Sequence, residues 1–169
     1  AAYDGLVIVL EPKDLYRIRH DPSGRGGDRV FRAGPKLPGE ISLGATDGIP
    51  ELEDFSIPFG KARQLRVGSD CTVVSYGLAM FKADAACREL ASEGLETDLF
   101  DLRSLVPYDK EAVLASVRKT GRLVVATEDR PNTSFANQIL RDVHEAIPEA
   151  RCSVVGMKEV PATGMAPAL

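Results

Sequence analysis

From residue 59 onward the chain alternates short apolar runs with longer amphipathic ones. Cys71 to Tyr76, Leu95 to Leu102, Arg122 to Ala126 and Arg151 to Val155 are short and largely apolar, the pattern of strands buried on both faces. Lys61 to Val67 is also strand-like. Leu78 to Ser92 is Ala-rich, with Phe81, Ala85 and Leu90 near one face and Gly94 as a stop, which predicts a helix. Asp109 can cap a helix running to about Lys119, with Val113, Leu114 and Val117 apolar and Gly121 past its end. Phe135 to Ile147 carries Ile139, Leu140, Val143 and Ile147 at helical spacing and stops at Pro148. Strands alternating with helices imply parallel βαβ units with right-handed crossovers. The expected fold over residues 59–156 is α/β, a three-layer α/β/α sandwich; periodicity leaves the strand order open.

The first 58 residues read differently. Leu6 to Leu10 is a continuous apolar run, expected to be one buried strand that must pair elsewhere. Residues 21–58 hold turn chemistry (Asp21-Pro22, Gly24 to Asp28, Gly34-Pro35, Pro38-Gly39, Asp47-Gly48 and Pro50) without clear periodicity. So long a stretch suits an interdomain linker better than a connection inside a domain. Residues 157–169 form a tail containing Pro and Gly.

Composition narrows the classes. Hydrophobic residues at 44% and charged residues at 27% are in the globular range. A net charge of -4 with scattered basic residues argues against a nucleic-acid partner. No apolar run approaches the roughly 20 residues that a membrane helix needs. Cys71, Cys87 and Cys152 lack CxxC spacing, so reduced, mostly buried thiols are expected. His20 and His144 have no partner at metal-ligand spacing.

An ordered set of segments resembles one family. Glu11 to Arg17 is similar to the E-x-K-x-L-Y-R stretch of pyruvate and branched-chain 2-oxoacid dehydrogenase beta subunits. Ile57-Pro58-Phe59-Gly60-Lys61-Ala62 resembles their IPLGKA, and Gly68-Ser69-Asp70 with Thr72 to Gly77 resembles GxDvTlvsyG. Asp101 to Pro107 is similar to DLRTLxP, Lys119 to Val125 to KTGRLvvv, and Ala166-Pro167-Ala168-Leu169 to the end of YAPAL, with Met165 in place of Tyr.

The resemblance implies a transketolase C-terminal-like domain over residues 59–169, with a five-stranded mixed, mostly parallel sheet in which Lys61 to Val67 is antiparallel. Residues 1–20 would be the last strand and exit of a preceding pyrimidine-binding domain, and 21–58 the linker. The parent enzyme would decarboxylate a 2-oxoacid oxidatively with thiamine diphosphate and magnesium and pass the acyl group to lipoyl. In that family the catalytic histidine and the cofactor contacts lie outside this region, so no catalytic, cofactor or metal residue is expected here. Expected partners are an alpha subunit, a second beta subunit and the subunit-binding domain of the acyltransferase core, with a homodimer also possible. The compartment would be the cytoplasm, or the mitochondrial matrix in a eukaryote. Transketolase or deoxyxylulose-phosphate synthase relatives and a free-standing ligand-binding regulatory domain are the alternatives.

The sequence departs from the family where a His-Glu pair and a Gly-Gly-Phe-Gly turn are common: here stand Thr127-Glu128 and Thr133-Ser134-Phe135-Ala136. Thr133 or Ser134 could cap the helix that follows. Tyr76, Gly77, Asp101 and Glu128 fall at carboxyl ends of predicted strands, the edge where open α/β sheets bind ligands; with Phe135 they form a candidate crevice or interface. Set against this, such carboxylates more often cap helices or hold loops. Gly24 to Asp28 lacks the strand and helix that a phosphate cradle needs and reads as a plain loop. Cys71 and Cys87 read as small buried hydrophobes, and Ser75 lacks the Gly-x-Ser-x-Gly elbow of a hydrolase.

Overall fold

A computed structural model gives the fold and describes residues 4–12, 18–19, 30–31 and 58–157. Two short strands, β1 (Ile18–Arg19) and β2 (Val30–Phe31), form an antiparallel ladder. The remaining elements are β3 (Arg63–Arg66), β4 (Cys71–Ser75), α1 (Ala79–Ser92), β5 (Thr97–Asp101), α2 (Lys110–Thr120), β6 (Arg122–Ala126), α3 (Ala136–Ala146) and β7 (Arg151–Val155). The last five strands make one sheet in the order β3-β5-β4-β6-β7. β4 pairs in parallel with β5 and β6, β6 with β7, and β3 runs antiparallel to β5. The mixed, mostly parallel sheet is therefore as expected, with the 61–67 run supplying the antiparallel edge.

Strand alternation splits the core in two. Val73 and Leu99, opposite each other in register, pack with Met80, Ala83 and Cys87 of α1. Their neighbours Val74 and Phe100 point the other way and pack with Val113 and Val117 of α2 and Ile139 and Val143 of α3. Successive side chains of a strand point to opposite faces, so one residue of slip would exchange the two cores. The buried face of α1 is Ala79, Met80, Ala83, Asp84 and Cys87 together with Phe81; Ala85 and Leu90 are only half-buried. This shifts the expected face by about one position. The acid Asp84 is buried because Arg66 and Arg88 both pair with it, at 2.8 and 2.6 Å.

Helix ends follow local chemistry in part. The Asp109 carboxylate accepts from the Ala112 amide at 3.4 Å, and Gly121 closes α2 at φ 67, a conformation that costs glycine little. Neither Thr133 nor Ser134 caps α3: residues 131–133 form a 3-10 turn, and the Ser134 hydroxyl donates to the Pro131 carbonyl instead. Of the three cysteines, all free, only Cys87 is buried; Cys71 and Cys152 are half-buried. Burial raises all three thiols above their ordinary pKa, so they stay protonated and weakly reactive.

The Leu6 to Leu10 run does not form the expected strand. It pairs with no described residue as a ladder, and Leu6, Ile8 and Leu10 are 91%, 78% and 77% exposed. A strand needs a neighbour to satisfy its backbone, and no described strand lies beside this run. The linker expectation falls mainly outside the described residues, as do His20, Gly24 to Asp28 and the tail beyond Met157.

A buried polar network joins the sheet to α2. Asp98, 1% exposed, accepts from Ser116 at 2.7 Å, from Lys119 at 2.5 Å and from the Gln64 amide. Thr72 lies 2.6 Å from Ser116 and 2.8 Å from Thr120. Burial by itself would raise the Asp98 pKa, but donation from Lys119, Ser116 and Gln64 outweighs it and holds the carboxyl below its ordinary value. A depressed carboxylate contributes stability above its unfolded-state pKa, and that contribution is lost as pH falls through the folded-state value. The urea midpoint of the chain should therefore fall as pH drops from ~5 to ~2, and Asp98→Asn should flatten that slope. Asp98→Ala, which strands Lys119 and Ser116, should cost about 3 kcal/mol at neutral pH.

Candidate functional site at the carboxyl edge of the sheet

The parallel strands β4, β5 and β6 all end on one edge, and most of the candidate residues meet there. Tyr76 follows β4, and its hydroxyl lies 2.9 Å from the Thr127 hydroxyl beyond β6. Thr127 is in turn 3.4 Å from an Asp129 carboxylate oxygen, to which it can donate. Burial raises the Tyr76 phenol above its ordinary pKa, and the Asp129 and Glu128 charges add to this against donation from Thr127. Tyr76 therefore stays neutral. The Phe135 ring meets Tyr76 edge-on at 6.3 Å and Tyr108 edge-on at 5.6 Å, the geometry that aromatic quadrupoles favour. The Tyr108 hydroxyl ends the series, donating to Asp142 at 2.6 Å.

Glu128 reaches back across the edge. One carboxylate oxygen accepts from the Leu78 amide at 3.1 Å, at the start of α1. A carboxylate there satisfies an otherwise unpaired amide and complements the helix dipole. Gly77 lies exposed beside it: a Cβ on Gly77 would stand 3.4 Å from the Glu128 carboxylate and 3.9 Å from Pro12, so the amino-terminal segment also reaches this edge. The exit of β7 clamps the same turn. Thr127 donates to the Val155 carbonyl at 2.9 Å and Met157 to the Asp129 carbonyl at 3.1 Å. Gly156 permits this closeness, since a Cβ there would lie 2.4 Å from the Asp129 carbonyl.

Asp101 stands apart from this group. It ends β5 on the side of β4 away from β6. Burial raises its pKa, against the pull of the Arg103 amide and of the Arg103 and Arg63 charges. Tyr76, Gly77, Glu128 and Phe135 thus share one cluster and Asp101 belongs to another. Tyr108, Asp129 and Asp142 were not legible as members. Asp142 left a trace: an acid between Ile139 and Val143 on the apolar stripe of α3 needs a buried partner, and it has three, in Tyr108, Lys110 and Gln138. Among the described residues no group of three or more His, Cys, Asp or Glu side chains stands together to hold a metal.

Residues 60–169 match the family model "Transketolase, C-terminal domain". The chain belongs to the transketolase C-terminal domain family. It is 43% identical over 103 residues to the pyruvate dehydrogenase E1 component subunit beta of Rhizobium meliloti, a stretch covering 61% of this chain and 22% of that protein. It is 37% identical over 142 residues to the 2-oxoisovalerate dehydrogenase subunit beta of Pseudomonas aeruginosa, covering 84% of this chain and 37% of that one. Among solved structures it resembles a split gene transketolase, described as an inactive beta4 tetramer, with a TM-score of 0.61 and 29% identity over 70% of this chain and 39% of that one. The chain therefore spans well under half the length of these relatives.

The edge cluster predicts specific losses. Phe135→Ala removes both edge-on contacts of a half-buried ring and should lower unfolding stability by about 2 kcal/mol. Glu128→Gln keeps an acceptor but removes the charge at the α1 terminus and should cost ~0.5 kcal/mol, less at high salt. Urea denaturation at two salt concentrations measures both.

Proposed function

We propose that this chain is the carboxyl-terminal assembly region of the beta subunit of a 2-oxoacid dehydrogenase. The parent would carry out oxidative decarboxylation of a 2-oxoacid with thiamine diphosphate and magnesium, handing the acyl group to lipoyl. The region's own work would be contact with the alpha and second beta subunits and docking of the acyltransferase core's subunit-binding domain. Likeness to pyruvate and 2-oxoisovalerate dehydrogenase beta subunits supports the reaction class. The observation that carries the non-catalytic role is the carboxyl edge itself. Its polar groups are turned onto the protein: Glu128 onto the Leu78 amide, and the Tyr76 and Thr127 hydroxyls onto each other.

The described residues do not fit a diphosphate and magnesium site, because the helix terminus nearest the edge already receives the Glu128 carboxylate and a further anion there would meet like charge. In this reading those cofactors belong to other parts of the parent assembly. The exposed apolar run Leu6 to Leu10 would pack in a preceding domain, with 21–58 as the linker.

A second reading, a transketolase-type enzyme acting on sugar phosphates, draws support from the likeness to the split gene transketolase. Assay of the intact parent with 2-oxoacids against sugar phosphates separates the two. For the chain alone, titration calorimetry with thiamine diphosphate and magnesium should give no heat of binding. Micromolar affinity would overturn the non-catalytic role.

A further inference from the structure

Two of the three cysteines meet near the amino ends of the parallel strands. Cys71 opens β4 and is the register partner of Thr97, the first residue of β5. Register partners point to the same face of a sheet. Here it is the face that α1 covers, where Cys71 and Cys87 of α1 pack in one cluster with Val73, Ala83 and Leu99. Cys87 is 2% exposed and Cys71 is half-buried, so one sulfur is sealed in the core and the other reaches toward the surface. The Cys71 thiol is held only by long contacts, 3.5 Å to the Thr72 carbonyl and 4.0 Å to the Arg122 carbonyl. Rotation about its Cα–Cβ bond re-aims it at low cost.

The polar neighbour of this pair is unusual. The Thr97 hydroxyl is buried and has no hydrogen-bond partner, a rare and costly state. It stands close enough to Cys87 to pull that thiol's pKa down against the rise from burial. Burial also raises the Cys71 thiol, and a charge on Cys87 would raise it further. Two neutral thiols thus lie close enough to sense each other's charge, beside a hydroxyl that a thiolate would satisfy. The surrounding charges are mixed: Asp70 and Arg122 act on Cys71, and Asp84 and Arg66 on Cys87.

We propose that Cys71 and Cys87 form a two-thiolate site for a soft monovalent cation of the Cu(I) class, held between β4 and α1, with the Thr97 hydroxyl donating to the Cys87 sulfur. Soft sulfur ligands select such a cation, and two of them complete its linear coordination. The apolar walls exclude water and harder ligands. On binding, each thiol releases its proton to solvent and each sulfur forms one bond to the cation; nothing is oxidised. The site then carries one negative charge, which the Thr97 hydroxyl and the nearby Arg66 and Arg122 offset. Cys152, on the opposite face with the other core, takes no part. The site lies away from the carboxyl edge and does not depend on the enzyme assignment.

Anaerobic titration of the 169-residue chain with Cu(I), against a chromophoric chelator and in millimolar glutathione, tests the proposal. The expected result is one equivalent bound, two sulfur neighbours in X-ray absorption, and a urea midpoint that rises with bound Cu(I). Cys71→Ser and Cys87→Ala should each weaken binding about a hundredfold or more, and Cys152→Ser should leave it unchanged. Thr97→Val should weaken it about tenfold, and Thr97→Ser should retain it. Circular dichroism verifies that the variants fold; if Cys87→Ala does not, the half-buried Cys71→Ser carries the test. Loss of all binding to glutathione, nitrogen or oxygen ligands in the absorption spectrum, or an affinity indifferent to Cys71→Ser overturns the proposal.

Discussion

β4 has hydrogen-bonded neighbours on both sides, parallel to it, and helices over both faces. Every residue from Thr72 to Ser75 is therefore buried, and each must be apolar or have its polar atoms paired. Val73 and Val74 supply the two cores. Thr72 enters the Asp98–Ser116–Thr120 network, and the Ser75 hydroxyl donates to the Ala126 carbonyl at 2.9 Å. The register thus fixed aligns Ser75 with Asp101 on one side and with Ala126 on the other. That alignment sets where Tyr76, Thr127 and Glu128 emerge, so the geometry of the carboxyl edge is inherited from the packing of one strand.

The two ends of the parallel strands are tied down by different means. At the amino ends the ties are buried charges and hydroxyls centred on Asp98. At the carboxyl ends they are aromatic edges, a hydroxyl pair and the exposed Glu128 carboxylate on an amide. The first group is sensitive to acid, because its central carboxyl must stay ionised in a buried setting. The second group resists base, because Tyr76 and Tyr108 both have pKa values raised by burial, with the Asp142 hydrogen bond adding to the effect at Tyr108. Toward acid it shares the first group's sensitivity through Asp142, which burial would raise but Tyr108, Gln138 and Lys110 hold below its ordinary pKa.

Which parts of this were legible beforehand follows from the range of each interaction. β6 and β7 were bounded correctly, and α2 nearly so, because Asp109, Gly121 and unbroken apolar runs mark them locally. Leu6 to Leu10 is as apolar as β6, yet it forms no strand, because a strand is completed by a neighbour and not by its own composition. The face of α1 read from Phe81, Ala85 and Leu90 left out Asp84, whose burial depends on Arg66 and Arg88 meeting it. The aromatic series Tyr76–Phe135–Tyr108 joins residues from three separate segments, which no spacing rule brings together. The family resemblance recovered what periodicity could not, namely the antiparallel sense of β3.

The departures from the family pattern after β6 form one coupled change. Thr127, in place of the common His, is 6% exposed and uses its hydroxyl for Tyr76 and Asp129. The residues in place of the glycine turn begin at the end of a 3-10 turn, Pro131–Thr133, and the Ser134 hydroxyl and the Asn137 side-chain amide both donate to the Pro131 carbonyl. That turn carries Phe135 to the point where its ring meets both tyrosines. A glycine-rich turn offers backbone to a neighbour that approaches closely; this one offers side chains bonded to their own loop. Altering residue 127 alone would leave Tyr76 without its hydroxyl partner, and altering 133–134 alone would release the ring that Tyr76 packs against. The segment is thus constrained as a unit, its Ser134 and Asn137 side chains bonded to their own loop and Thr127 and Phe135 to Tyr76.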